Sequence, residues 1–314
     1  EDEIWAQKGH EVAYGQAVFG KFTLAEVPKP ALRMVKGFHN VGVKGEDFEV
    51  LFSETGKGLV SYKKRGKELL KKTVRPNFFR PMIENDLGNR LPLRAGQWKV
   101  ASEYLFLDSD ILKDVTFDGN VFTIGLEYVL ATNPNTKCHV KYKVTGDGVV
   151  EATVSLDKSD EIGQLPELSM LLSLDADYDN LEWYGRGPQE TYWDRCHAKV
   201  GVFKNKVADN MAKYLVPQEC GFKMDVRYAK ITNDKGDGML IIADGLGLSA
   251  LPYSPSEIDA ATHPTELPPV HYTYIRVGEQ MGVGGDNTWG AETHPEYMLD
   301  NSKPRSVTFR FKGI

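Results

Sequence analysis

Cysteine is scarce in this chain, and that scarcity excludes two architectures. Cys138, Cys196 and Cys220 are odd in number and widely spaced, so neither a disulfide framework nor a tetrahedral zinc site is suggested. Free, mostly buried thiols are expected, with a single disulfide left open. No apolar stretch approaches the roughly 20 residues of a membrane-spanning helix. Positive charge is not in excess either: 38 basic and 44 acidic residues leave a net charge of −6, and no basic, aromatic-studded run offers a nucleic-acid groove. The expectation is that neither nucleic acid nor membrane is a partner. Helical patterning is confined to short pieces such as Ser256 to Thr262, and no repeat of propeller-blade length occurs. No His-x-Glu-x-His spacing points to a metal, and Asp234 to Asp237 read as an exposed hairpin turn with too few oxygen ligands for a calcium loop. The opening residues, Glu1-Asp2-Glu3-Ile4-Trp5, carry neither an initiating Met nor a signal peptide, so the chain reads as a piece of something longer.

What is present is strand. With 41% hydrophobic and 26% charged residues, the composition is that of a soluble globular protein long enough to bury a sizeable core. Asp47 to Phe52 and Leu59 to Tyr62 flank the turn Gly56-Lys57-Gly58, which makes a hairpin. Phe122, Ile124, Leu126, Tyr128 and Leu130 alternate with Val121, Thr123, Gly125, Glu127 and Val129, and the first set should face the core. Lys137 to Val144 and Val149 to Leu156 are joined through Thr145-Gly146-Asp147-Gly148, whose Asp-Gly pair signals a second hairpin. Phe222 to Ile231, Met239 to Ala243, Tyr272 to Val277 and Ser306 to Phe311 follow. An isolated strand-like segment, His10 to Phe19, precedes a connector at Pro28-Lys29-Pro30. The fold class is all-β, one large antiparallel sandwich. The strand-poor stretch Thr73 to Gln97 is the exception, and such a loop inside a compact domain is usually functional.

Three stretches could carry chemistry. Met281-Gly282-Val283-Gly284-Gly285-Asp286-Asn287-Thr288-Trp289-Gly290 cannot be a helix interior. Its glycines allow positive φ and close approach. Asp286, Asn287 and Trp289 set hydrogen-bonding groups beside a flat apolar face, which is what a pyranose ring requires. The alternative is a tight turn with Trp289 tucked into the core. Arg75-Pro76-Asn77-Phe78-Phe79-Arg80-Pro81-Met82-Ile83-Glu84-Asn85-Asp86 is either a ligand- or partner-binding loop or a rigid surface loop in which Arg80 and Asp86 pair. Trp183 to Arg195 packs four aromatics with Arg186, Glu190, Asp194 and Arg195. It either lines a sugar cleft or forms an aromatic corner with internal ion pairs.

Taken in order, these residues resemble a known family. Arg75-Pro76-Asn77-Phe78-Phe79-Arg80-Pro81 with Asn85-Asp86 looks like the motif opening the last domain of family 2 beta-galactosidases. Trp183-Tyr184-Gly185-Arg186-Gly187-Pro188-Gln189-Glu190-Thr191-Tyr192 with Asp194-Arg195 is similar to a second motif. Pro217-Gln218-Glu219-Cys220-Gly221 resembles a third, Ala261-Thr262-His263 through Glu266-Leu267 a fourth, and Met281 to Gly290 the fifth. The resemblance implies a galactose mutarotase-like supersandwich over residues 36–314. It also implies that residues 1–35, with Gly9-His10-Glu11-Val12-Ala13-Tyr14, are the tail of a preceding immunoglobulin-like domain plus a linker. Under it, the acid/base and nucleophilic glutamates lie in a separate TIM-barrel domain, and no catalytic residue lies in this chain. Trp289 stacks on the sugar at the mouth of that site, with Asp286 and Asn287 as substrate contacts. Arg80, Asp86, Arg186, Glu190 and His263 are candidates for the cleft or a domain interface. The implied partners are a galactoside substrate and the rest of the beta-galactosidase chain, in a parent that is a homo-oligomer. The family's magnesium and sodium bind mostly outside this domain, so no cofactor or metal is expected here. Asn287 and Thr288 replace an aspartate and a serine of the family's motif. Arg276-Val277 stand where Leu-Asp is expected.

Could the chain be catalytic alone? Retaining glycoside hydrolysis needs two carboxyl groups roughly 5–5.5 Å apart. Glu84 with Asp86 and Glu190 with Asp194 are the only dense acidic pairs beside aromatics. A free-standing carbohydrate-binding or aldose-epimerase-like module is the alternative, and it needs an acid/base pair on the concave sheet face. His263 with Glu266 is the candidate, although Pro264 prevents helical spacing from joining them, and His263 is expected to pack or to cap the end of a short helix.

Overall fold

Alternation of apolar and polar residues sets most of the strands in the computed structural model of this protein, which describes residues 2–17, 19, 29–287 and 289–314. In the strand Val121–Leu130 the residues Phe122, Ile124, Leu126, Tyr128 and Leu130 are buried, and their neighbours are half-buried. The strand Val150–Leu156 alternates in the same way. Phe48–Ser53 and Gly58–Lys64 form the first hairpin, turned at Lys57, which takes φ 58°. Lys137–Thr145 and Val150–Leu156 form the second, with Gly148 at φ +81° in the turn.

Among the described residues the strands assemble into three antiparallel sheets, of five, ten and four strands. The ten-stranded sheet is one layer. The five-stranded sheet packs on it through Phe52, whose ring lies 5.7 Å from Phe122 and 5.2 Å from Tyr142, and through Tyr62, 6.1 Å from Phe311. The four-stranded sheet runs Gly247–Leu251, Tyr272–Gln280, Glu167–Asp175, Arg75–Asn77 in spatial order. Its strand Glu167–Asp175 lies against Val150–Leu156 and Arg305–Gly313 of the large sheet. The two smaller sheets meet where the Lys71 N–H donates to Ser173 O at 2.9 Å and Leu59 bridges Val74. One large apolar core runs through all three sheets, and Cys220, Leu251 and Ile258 form a smaller separate cluster. This is an all-β, large antiparallel supersandwich.

Several expectations are corrected. The stretch Thr73 to Gln97 holds the short strand Arg75–Asn77 and the helices Glu84–Gly88 and Leu91–Glu103. The longer helix buries Leu91, Ala95, Trp98 and Ala101, spaced to share one face, but Leu93 and Val100 lie exposed off that face and blur the period. The short helix expected at Ser256 to Thr262 is Pro255–Ala260, with Ser254 as its N-cap. Phe222 to Ile231 is a strand only from Tyr228 to Thr232, because Asp225 at φ 59° turns the chain before it. Residues 10–17 form no strand; Gln16 instead bonds through its carboxamide to both the N–H and the C=O of Val200 on the edge strand Lys199–Lys206. Val18, Pro28 and Thr288 lie outside the described residues. Cys138, Cys196 and Cys220 are free thiols, the first and last buried, and no described helix is long and apolar enough to cross a membrane.

Candidate functional site

The glycine-rich loop after the strand Tyr272–Gln280 is fixed from beneath by three neighbours. Gly282 O accepts from Arg80 Nη2 at 3.3 Å and from Thr293 Oγ1 at 3.0 Å. The Asp194 carboxylate accepts the N–H groups of Val283, at 3.0 Å, and Gly284, at 2.6 Å. It comes so close that a Cβ on Gly282 would stand 2.5 Å from its carboxyl carbon. At the far end Gly290, at φ +91°, lies against Gly88 of the short helix, where a Cβ would meet the Gly88 carbonyl carbon at 2.6 Å. Asn85 Nδ2 donates to Asn287 O at 2.9 Å. Glycine is needed at these points because backbone and carboxylate occupy the space a side chain would take.

Trp289 stands out of this bracket. It is 89% exposed, which excludes the reading in which it packs into the core. The two polar residues expected beside it hold the loop itself. Asn287 Oδ1 accepts the N–H groups of Trp289, at 2.8 Å, and Ala291, at 3.3 Å. Asp286 Oδ2 lies 2.5 Å from His294 Nε2. That hydrogen bond and the Asp286 charge raise the His294 pKa above its ordinary value.

The remaining sequence candidates are spread around this loop. Arg80 and Asp86 are buried, not cleft-lining, and pair at 2.6 Å. Asp86 also accepts the Ile83 N–H at the start of its own helix. Burial works against the Arg80 charge, but Asp86 outweighs it and the pKa rises. Glu190 accepts from Arg195 Nη2 at 2.6 Å and from the Gly221 N–H at 2.8 Å. Arg186 donates to Cys196 O at 2.8 Å and faces Asp225 at 3.5 Å. His263 is exposed, not packed, 3.2 Å from Thr262 Oγ1 and 3.8 Å from Glu266. Three of the four acidic residues are thus committed to structure, Asp86 and Glu190 to arginines and Asp194 to the loop.

A second polar centre escaped sequence reasoning. On one face of the four-stranded sheet, Arg276 is nearly inaccessible and donates to Glu167 Oε2 at 2.7 Å, to both Glu219 oxygens at 2.8 and 2.9 Å, and to Ser249 Oγ at 3.0 Å. Asn77, Ser169 and Gln280 complete the shell of Glu167. Burial opposes the Arg276 charge, yet the two carboxylates prevail and hold it protonated. Burial also raises the Glu219 pKa, against the pull of Arg276. Around Arg276 this face is occupied by an ionic network in which Gln280 Oε1 has no partner among the described residues, and His263 does not take part in it. The available signals were Glu219 in its Pro-Gln-Glu-Cys-Gly motif and Arg276 where a Leu was expected. Among the described residues no group of three or more His, Cys, Asp or Glu side chains is placed to hold a metal.

The family described as "Beta galactosidase small chain" matches residues 44–312. A beta-galactosidase of Priestia megaterium is 40% identical over 100% of this chain, which spans only 30% of that relative's length. A beta-galactosidase small subunit of Latilactobacillus sakei is 27% identical over 88% of this chain and 96% of its own length. Among solved structures, the galactose 1-epimerase from Lactobacillus acidophilus NCFM aligns over 90% of this chain at 12% identity and a TM-score of 0.42. The chain belongs to the beta-galactosidase small chain family.

Proposed function

We propose that this chain is the accessory supersandwich of a beta-galactosidase that removes terminal non-reducing β-D-galactose, and that it contributes Trp289 to an active site whose catalytic carboxylates lie in the remainder of the enzyme. The observation that carries this reading is a tryptophan 89% exposed on a loop bracketed by Arg80, Asp194 and Gly88. Leaving an indole in water forgoes roughly 2–3 kcal/mol of burial, and a rigid loop that does so fits a side chain meant to meet another surface. Asp286 and Asn287 act as positioning residues that fix the indole. Exposed Leu87 on the short helix, next to the Gly88 that Gly290 packs on, extends the apolar surface on which the catalytic part seats. Residues 1–35 are read as the end of a preceding domain plus a linker; residues 2–17 bury no side chain fully, while Leu32 joins the core and the strand Arg33–Lys36 pairs with Asn40–Lys44 in the five-stranded sheet. Trp289→Ala in the parent enzyme should raise KM by roughly one to two decades, the equivalent of ~1–3 kcal/mol of stacking and apolar contact. An unchanged KM would remove Trp289 from the site.

A further inference from the structure

Leu93 and Val100, the residues that blur the apolar period of the helix Leu91–Glu103, belong to a row of their own. The inward row is Leu91, Ala95, Trp98 and Ala101. On the opposite side Leu93, Gln97, Val100 and Tyr104 recur at i, i+4, i+7 and i+11, which is again one helical face. Leu93 is 83% exposed, and Val100 and Tyr104 are exposed beside it. Tyr104 caps the helix. Two residues on, exposed Phe106 carries the apolar surface onto Leu105–Leu107, the strand at one end of the ten-stranded sheet. Gln97, the polar member of the row, is held by accepting the Asn133 N–H at 2.7 Å. The charges flanking the row are already paired: Arg94 with Glu292, Lys99 with Asp259, and Glu103 with Arg75. Gly96 sits mid-helix with nothing within 4 Å of where a Cβ would stand. No neighbour among the described residues requires glycine there, although it costs roughly 1 kcal/mol against alanine.

We propose that this row, with Phe106, is a seat for the remainder of the parent beta-galactosidase, the part that carries the catalytic carboxylates. A helix that is apolar on two opposite sides is a helix covered on both. An exposed apolar surface whose flanking charges are already paired has the make-up of an interface core, because covering it strands no charge. Glycine at position 96 lets the covering backbone come close. The choice of occupant rests on two observations. This chain spans 30% of the length of its Priestia megaterium relative, so most of such an enzyme lies outside these residues. The row also starts beside the Trp289 bracket. Arg94, next to Leu93, pairs with Glu292, two residues beyond Gly290, and donates to Asn89 O, next to the Gly88 that Gly290 meets. The part that meets Trp289 is therefore placed to cover the row, ahead of a second copy of this chain. The identity of the partner rests on the accessory-domain reading above, but no substrate contact by Trp289 is required.

The test compares this chain with the parent enzyme. Leu93→Cys and Tyr104→Cys are made in both, and Lys235→Cys, in an exposed turn, sets the reference rate. All three side chains are exposed, so the substitutions leave the core untouched. Maleimide labelling is followed by mass spectrometry of the peptide bearing each thiol. In the parent both row thiols should react about tenfold or more slowly than in the chain alone, since they react only when the covering surface opens, while Lys235→Cys reacts alike in both. Phe106→p-benzoylphenylalanine, irradiated in the parent, should cross-link to polypeptide outside residues 1–314. Row thiols that react in the parent as fast as in the chain alone overturn the proposal. So does a cross-link to these same residues of a second copy, which would make the row a self-association surface. Labelling is read without substrate and so separates from the Trp289→Ala test. Slowed row thiols with an unchanged KM would remove Trp289 from the site and keep this surface, and freely reacting thiols with a raised KM would do the reverse.

Discussion

Replacing Arg276 by Leu should expose what the ionic network contributes. In the wild type its guanidinium serves two carboxylates that are 0% accessible. Glu167 would keep Asn77, Ser169 and Gln280 as donors, whereas among the described residues the Glu219 carboxylate accepts hydrogen bonds from Arg276 alone. Removing one partner of a buried pair costs about 3–5 kcal/mol. Glu219 has an escape, which is to take up a proton. From an unfolded pKa of about 4.3, holding a carboxyl neutral at pH 7 costs about 1.4 kcal/mol per pH unit, or roughly 4 kcal/mol, and at pH 5 only about 1 kcal/mol. In the variant the folded pKa lies above the unfolded one, so the folded state binds more protons between the two values, and stability falls as pH rises through that window. Urea unfolding followed by circular dichroism at pH 5 and pH 7, wild type against Arg276→Leu, reads this directly. Adding Glu219→Gln should recover most of the loss at pH 7, because the two sites share one interaction. A deficit below about 1 kcal/mol at pH 7, or one independent of pH, would refute the reasoning.

Three further outcomes are expected. His294 should titrate above its ordinary 6.5, with Asp286→Asn lowering the midpoint; the pair's anchoring is present below the unfolded value and lost as pH rises through the folded one, and imidazole proton shifts that move at or below 6.5 would contradict it. Lys223 is 2% exposed, donates among the described residues only to Pro188 O at 3.3 Å, and burial pulls its ammonium down to about 8. Because the unfolded chain binds the proton up to about pH 10.4, wild-type stability should rise between pH 8 and 10, and Lys223→Met should be the more stable protein at pH 7 by up to ~3 kcal/mol, the gap closing with pH; a gap that stays constant in denaturant unfolding would rule this out. Gly290→Ala places a Cβ on the Gly88 backbone at positive φ, so the loop must shift and KM in the parent enzyme should rise with little change in unfolding temperature; an unaltered KM would show that the bracket does not position Trp289.

How much of this was legible beforehand depends on what each segment buries. Strands with one wet face, such as Val121–Leu130, announce themselves by alternation. Glu167–Asp175 does not, because Glu167, Ser169 and Ser173 are buried polar residues on a covered face, and no rule of apolar-in and polar-out marks a strand whose two faces are both hidden. The helix Leu91–Glu103 was hidden by its off-face Leu93 and Val100. The glycine loop was readable as a site for close approach, since three glycines in four positions suit neither a helix interior nor a packed strand. What surrounds it was not, because Asp194, Gly88 and Arg80 reach it from far along the chain. Asp286 and Asn287 illustrate the limit: their composition suggested sugar contacts, while their hydrogen bonds serve the loop.

The most direct measurement is hydrolysis of a chromogenic β-galactoside by this chain alone, by the remaining part of the parent enzyme alone, and by the two mixed. Activity confined to the mixture, and reduced when the chain carries Trp289→Ala, is the predicted result. Hydrolysis by this chain alone would contradict the account and turn attention to Glu190 and Asp194, the one dense acidic pair beside aromatics that also touches the Trp289 loop.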